Sequence, residues 1–146
     1  MTVSKIIFTE GKELAMKSLF DANETYSFSW IAIGNSPTGQ GFENSQTPGT
    51  SSAGNGFVEI EDETYSRIPL KYKSTDIDND SGKVTVMFEA QLDYQNIITS
   101  TTINQLAVVD NGQRNNANTK FYSATTFPSF TKNSQNAMTF VIGFRF

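Results

Sequence analysis

Two runs in this chain alternate apolar and polar residues with a period of two. Val84, Val86, Phe88, Ala90 and Leu92 interleave with Thr85, Met87, Glu89 and Gln91. Met138, Phe140, Ile142, Phe144 and Phe146 interleave with Thr139, Val141, Gly143 and Arg145. Only an extended strand sends successive side chains to opposite faces. A strand with so apolar a face must be tied into a sheet, because an unpaired one templates aggregation. Sheet formation is therefore the first constraint on the fold.

Further strands follow by the same reasoning. Residues 103–110 and 121–127 read as an antiparallel pair joined by the loop 111–119, which carries Asn111-Gly112. Residues 103–146 thus read as strand, turn, strand, turn, strand, with 128–136 as a polar turn and the upstream chain packed against this sheet. Residues 25–33 read as a central strand, with Phe28, Trp30 and Ala32 on one face and Ser29, Ile31 and Ile33 on the other. Trp30 is read as core. Residues 57–62 are expected to pair as an edge strand. Residues 65–72 place Ile68, Leu70 and Tyr72 on one side. Pro69 lacks a ladder donor, so an edge or a bulge is expected there. Residues 93–102 read as a polar connection anchored by Ile97 and Ile98.

Residues 1–8 suit a short strand or an arm. Thr9 is a candidate N-cap, with Glu10 and Glu13 in the first turn. The helical pattern runs from 10 to 20, with Leu14, Ala15, Ser18 and Leu19 on one face, and it is the one substantial helix expected. Residues 34–56 form a long loop rich in Pro, Gly, Ser, Thr and Asn, with Phe42 and Phe57 as anchors. A patternless stretch of this length suits either a surface excursion or an arm that orders against a neighbouring subunit. The expectation is one antiparallel β-sandwich domain over residues 1–146, mainly β, with one short N-terminal α-helix and the loop 34–56.

The chemistry on offer is narrow. Histidine and cysteine are absent. That removes the commonest general base, the commonest metal ligand, disulfides and thiolate sites. No Gly-x-Ser-x-Gly elbow or phosphate-cradling glycine loop occurs, and nothing singles out two carboxylates for acid–base work. The net charge of −4 comes without a basic patch, against nucleic-acid binding. No apolar run reaches bilayer-spanning length, and residues 1–9 are too short and polar for a signal peptide, so synthesis in a cytoplasm without a cleaved leader is expected. A non-enzyme is expected, with no catalytic, cofactor-binding or metal-ligating residue assigned and no cofactor.

Three weaker signals remain. Asp76, Asp78 and Asp80 have the spacing that opens an EF-hand loop. However, the glycine falls at Gly82, one place late, and Met87 stands at the twelfth position, so 74–83 is read as a hairpin turn. Glu59, Glu61, Asp62 and Glu63 are read as a solvated acidic face. Tyr65, Tyr94 and Tyr122 could stack on sugars, but packing between strands or subunits is preferred.

One resemblance spans most of the chain. The short segments Thr9-Glu-Gly-Lys-Glu13, Trp30-Ile-Ala-Ile-Gly34, Glu63-Thr-Tyr-Ser-Arg-Ile-Pro-Leu70, Ile103-Asn-Gln-Leu-Ala-Val-Val-Asp110, Lys120-Phe-Tyr-Ser-Ala-Thr-Thr-Phe-Pro128 and Lys132 occur in one order. The loop 34–56 and the strands 84–92 and 138–146 fall between and after them. This order resembles the N-terminal attachment domain of bacteriophage tail-collar fibre proteins. Gln105 and Ala107 stand where that family has Glu and Gly, and a chain without the family's long fibre shaft is expected. The resemblance implies a structural component of a tailed-phage virion, assembled in the host cytoplasm. It would be an oligomeric adaptor or attachment protein of the tail, collar, neck, baseplate or fibre region. Its partners would be copies of itself and other virion proteins, with neither nucleic acid nor membrane. Deleting residues 38–54 is expected to spare the fold and weaken assembly. The alternative is an adhesin-like β-sandwich that binds a host-surface glycan or receptor.

Overall fold

The computed structural model describes residues 5–36, 42 and 56–146. These form β1 (Lys5–Ile7), α1 (Thr9–Phe20), β2 (Trp30–Gly34), β3 (Ile68–Pro69), β4 (Lys71–Asp78), β5 (Lys83–Leu92), β6 (Thr101–Val109), β7 (Phe121–Lys132) and β8 (Met138–Arg145). The chain is mainly β, with two antiparallel sheets and, among the described residues, one helix. One sheet has the order β1-β7-β6-β2-β3 and the other β4-β5-β8.

The alternating runs place themselves as expected. Phe140, Ile142 and Phe144 of β8 pair with Ala90, Phe88 and Val86 of β5, so equal faces meet in register. Inner-face residues of β5 and β8 pack with Ile31 and Ile33 of β2, Ile103, Leu106 and Val108 of β6 and Phe127 and Phe130 of β7. This is the sandwich core. The reverse face of the larger sheet carries a second core of Ala32, Ala107, Val109, Phe121 and Ala124, which packs against Phe8, Phe42 and Phe57. β2 and β6 are therefore covered on both sides, which is why Trp30 to Gly34 reads apolar at every position. Phe42 and Phe57 are buried in that second core and anchor the ends of the 34–56 segment. Residues 37–41 and 43–55 lie outside the described residues, as does most of the expected 38–54 deletion.

Several expectations are corrected. β8 does not extend the sheet of β6 and β7; it crosses to the smaller sheet and pairs with β5. Residues 25–29 are not strand. Ser18 Oγ of α1 accepts the Tyr26 N–H at 3.0 Å and lies 2.8 Å from Tyr26 O, holding this segment to the helix rather than to a ladder. Residues 57–62 contribute one bridge, Gly34 with Glu59, rather than a strand. The run 65–72 divides into β3, at the edge of the larger sheet as Pro69 requires, and β4 in the other sheet.

The turn expected at 74–83 is shorter, because β4 continues to Asp78. Gly82 closes the hairpin at φ 73°, a conformation glycine adopts without steric cost. The turn expected at 128–136 begins later, since β7 runs through Pro128 to Lys132. The register between β6 and β7 shifts from Ile103–Phe130 to Gln105–Thr126, and the extra residues in β7 hold Pro128 where no ladder donor is needed.

The helix starts at Thr9, with Phe8 as N-cap and no side-chain cap, so Thr9 does not cap it. Its packed face is Gly11 and Leu14, whereas Leu19 is 71% exposed. Gly11 is required there. A Cβ on it would come 2.6 Å from Phe121 O and Tyr122 Cα, both backbone atoms of β7.

Candidate functional site

The densest polar chemistry lies between the 56–67 segment and the 110–119 loop. Glu59 and Arg67, both buried, form a bidentate pair: Arg67 Nε donates to Glu59 Oε2 at 2.8 Å and Nη2 to Oε1 at 2.9 Å. The Tyr65 hydroxyl donates to Glu59 Oε2 at 2.5 Å and accepts the Ile33 N–H at 3.0 Å. The Asn115 N–H donates to Glu59 Oε1 at 3.0 Å. Arg67 Nη1 donates to Asn111 Oδ1 and Thr119 Oγ1, both at 2.9 Å. Burial first, then the Glu59 carboxylate, pushes the Tyr65 phenol well above its usual range. Both carboxylate oxygens and all three guanidinium nitrogens of the pair are bonded within the protein, so the arrangement clamps two loops together. Glu59 is thus not part of a solvated acidic face, and Tyr65 is sealed from any ligand. The only sequence clue to the pair was that an arginine stood amid strand-like apolar residues.

A second clamp lies on β6. Gln105, fully buried, accepts the Val58 N–H through Oε1 and donates to Gly56 O through Nε2, both at 2.9 Å. Gly34, its neighbour in register, has no room for a side chain: a Cβ would lie 2.5 Å from Val58 O and 2.8 Å from Gln105 Oε1. Lys132 is also buried, with Nζ donating to Asn133 O at 2.6 Å and reaching Ile97 O at 3.5 Å. Burial lowers its pKa, with Asp93 opposing.

The other sequence signals are dispersed. Asp78 accepts from Asp80 N–H, Ser81 N–H and the Ser81 hydroxyl, which holds the hairpin turn and lowers its pKa. Among the described residues, no group of three or more acidic side chains converges in the manner of a metal site. Tyr94 is exposed, while Tyr122 packs on Phe28 and Phe144, so the three tyrosines share no platform.

Two open hollows are mainly apolar. A groove of about 490 Å³ runs between the end of α1, residues 26–29 and one end of the sandwich. Leu19, Phe28, Leu70, Phe88, Phe144 and Phe146 line it. Leu19 and Phe146, 74% exposed, carry large apolar surface into solvent there. A second cleft of about 350 Å³ lies where β8 leaves part of β1 and β7 uncovered, with Lys5 and Arg145 among its lining. Because three strands cannot cover five, the sandwich keeps an open side.

The molecule is an antiparallel two-sheet sandwich with its charged pair sealed inside and its apolar edges outside. No protein-family model matches the chain, and no curated protein and no solved structure is significantly similar to it. No helix among the described residues is long and apolar enough to cross a membrane.

Proposed function

We propose that this chain is a non-enzymatic structural component of a tailed-phage virion, an oligomeric adaptor of the tail, collar or fibre-attachment region. The observation that carries the assembly part of this reading is the groove beside α1. Leu19 and Phe146 stand in solvent around one apolar hollow, as surfaces awaiting a protein neighbour do. The polar clusters, by contrast, are spent on internal clamps. The virion part rests on the motif order. Its residues Gly11, Gly34, Arg67 and Lys132 all fall at points where packing or a buried bond admits little else. A shared motif order built on such points speaks for a shared fold.

Immunogold labelling and peptide mass spectrometry of purified particles, from the source that encodes the chain, test the proposal. Label at the neck or tail supports it. Intact particles without the chain overturn it. Binding of the isolated protein to a glycan array, lost in Tyr94→Ala, would favour the adhesin-like alternative.

A further inference from the structure

We propose that β4 is a self-association edge, pairing antiparallel with β4 of a second copy across a two-fold axis at Thr75. This names the surface for the homo-oligomer in the reading above and rests on that reading only for its biological setting.

Among the described residues β4 pairs with β5 alone, and all eight of its residues are exposed. Its free side presents backbone donors and acceptors without ladder partners. Apolar side chains are exposed as well: Tyr72 is 64% and Ile77 59% exposed. In register, Tyr72 faces Phe88 and Ile77 faces Val84, so both lie on the inner face of the smaller sheet. Lys71, Ser74, Asp76 and Asp78 pair with Glu89, Met87, Thr85 and Lys83 and lie on the outer face. Lys73 is the extra residue of a bulge, and its Nζ lies 3.5 Å from Glu89 on that same outer face.

The order Lys71-Tyr-Lys-Ser-Thr-Asp-Ile-Asp78 is self-complementary. An antiparallel copy centred on Thr75 sets Ser74 against Asp76, Tyr72 against Ile77 and Lys71 against Asp78. Lys73, bulged in each copy, falls beside the other's Asp76. Every pair then shares a face, and every charge meets its opposite. Charges that keep sheet edges apart act by meeting their own sign in a second copy; here the two signs occupy opposite halves of the strand. The result is a continuous six-stranded sheet, β8-β5-β4 and its symmetry mate, with an isologous interface.

The test is the solution mass of the intact chain by light scattering, for wild type, Asp76→Lys, Lys73→Asp and an equal mixture of the two variants. Asp78 is spared because it holds the turn. Circular dichroism melts establish that each variant is folded. The proposal expects a wild-type assembly with an even number of copies. Each variant alone, meeting its own sign twice, should dissociate about tenfold or more readily. The mixture should regain wild-type affinity. There the Lys73 kept by one variant meets the Asp76 kept by the other, and the introduced lysine meets the introduced aspartate. An oligomer unchanged in either variant overturns the β4 edge while leaving the virion reading to the particle test. A wild-type chain monomeric up to millimolar concentration also overturns the edge. Variants that dissociate but are not rescued in the mixture do so as well.

Discussion

Arg67 grips Glu59 through two nitrogens, at 2.8 and 2.9 Å, with both side chains out of water. Removing one partner leaves the other charge buried and unpaired. Glu59→Gln or Arg67→Met is expected to lower stability by about 3–5 kcal/mol in denaturant unfolding. The double variant Glu59→Gln/Arg67→Met should lose less than the sum of its singles. Additive losses in that cycle would mean the two side chains act independently.

Gln105 fills a position that needs one acceptor and one donor, since Val58 offers an N–H and Gly56 a carbonyl. A carboxylate supplies only acceptors at neutral pH. Gln105→Glu is expected to cost about 1–3 kcal/mol at pH 7. Burial raises the pKa of the new carboxyl, so the protonated form is favoured in the folded state. The deficit relative to wild type should therefore shrink as pH falls, because a protonated Glu donates to Gly56 O again. Denaturant midpoints between pH 4 and 8 measure it, and a pH-independent deficit would exclude this account.

Gly11 and Gly82 are required for different reasons, and alanine should separate them. At Gly11 the added methyl meets the backbone of β7 at 2.6 Å, so the helix must shift; a loss of about 1–3 kcal/mol or more is expected. At Gly82 nothing lies within 4 Å and only the positive φ resists, so alanine should cost roughly 1–2 kcal/mol and asparagine less. Asparagine at both sites is the discriminating measurement: tolerated at 82, damaging at 11.

Lys132 and Tyr65 should pull stability in opposite directions at alkaline pH. The folded-state pKa of Lys132 is lowered, chiefly by burial. Unfolding therefore takes up a proton in the window between the folded value and the ordinary lysine value, and stability rises with pH there. The folded-state pKa of Tyr65 is raised, so the folded protein holds that proton longer. Stability from Tyr65 falls as pH climbs past the ordinary tyrosine value. Wild type should gain on Lys132→Met and lose on Tyr65→Phe as pH rises from 9 toward 11, read by urea midpoints. Parallel curves would refute the assignment.

Strands whose pattern follows one buried face were legible in the sequence, as Val84 to Leu92 and Met138 to Phe146 show. Pro69 announced its edge through chemistry that is local to the residue. The failures share a cause, which is partnership across long sequence distance. Nothing near Glu59 indicates that Arg67 and Asn115 will bury it, so it read as one acid among four. Pro128 argued for a turn, yet extra residues opposite Asn104 made room for it within β7. β8 alternates equally well in either sheet, and only pairing with β5 decides between them. The open groove was not legible either, because Leu19 fits the helical period of a packed face while the helix leans on β7 through Gly11 instead.

Leu70 alone separates β3 in one sheet from β4 in the other. Its N–H donates to Ser29 O at 2.8 Å, next to the start of β2. The two layers of the sandwich are thus spliced here by a single residue, the shortest of three main-chain crossings between them. Force applied along β4 would reach β2 through covalent bonds and ladder hydrogen bonds loaded in shear. Side-chain packing alone would let the layers slip. The splice makes the smaller sheet a handle fixed to the body of the protein.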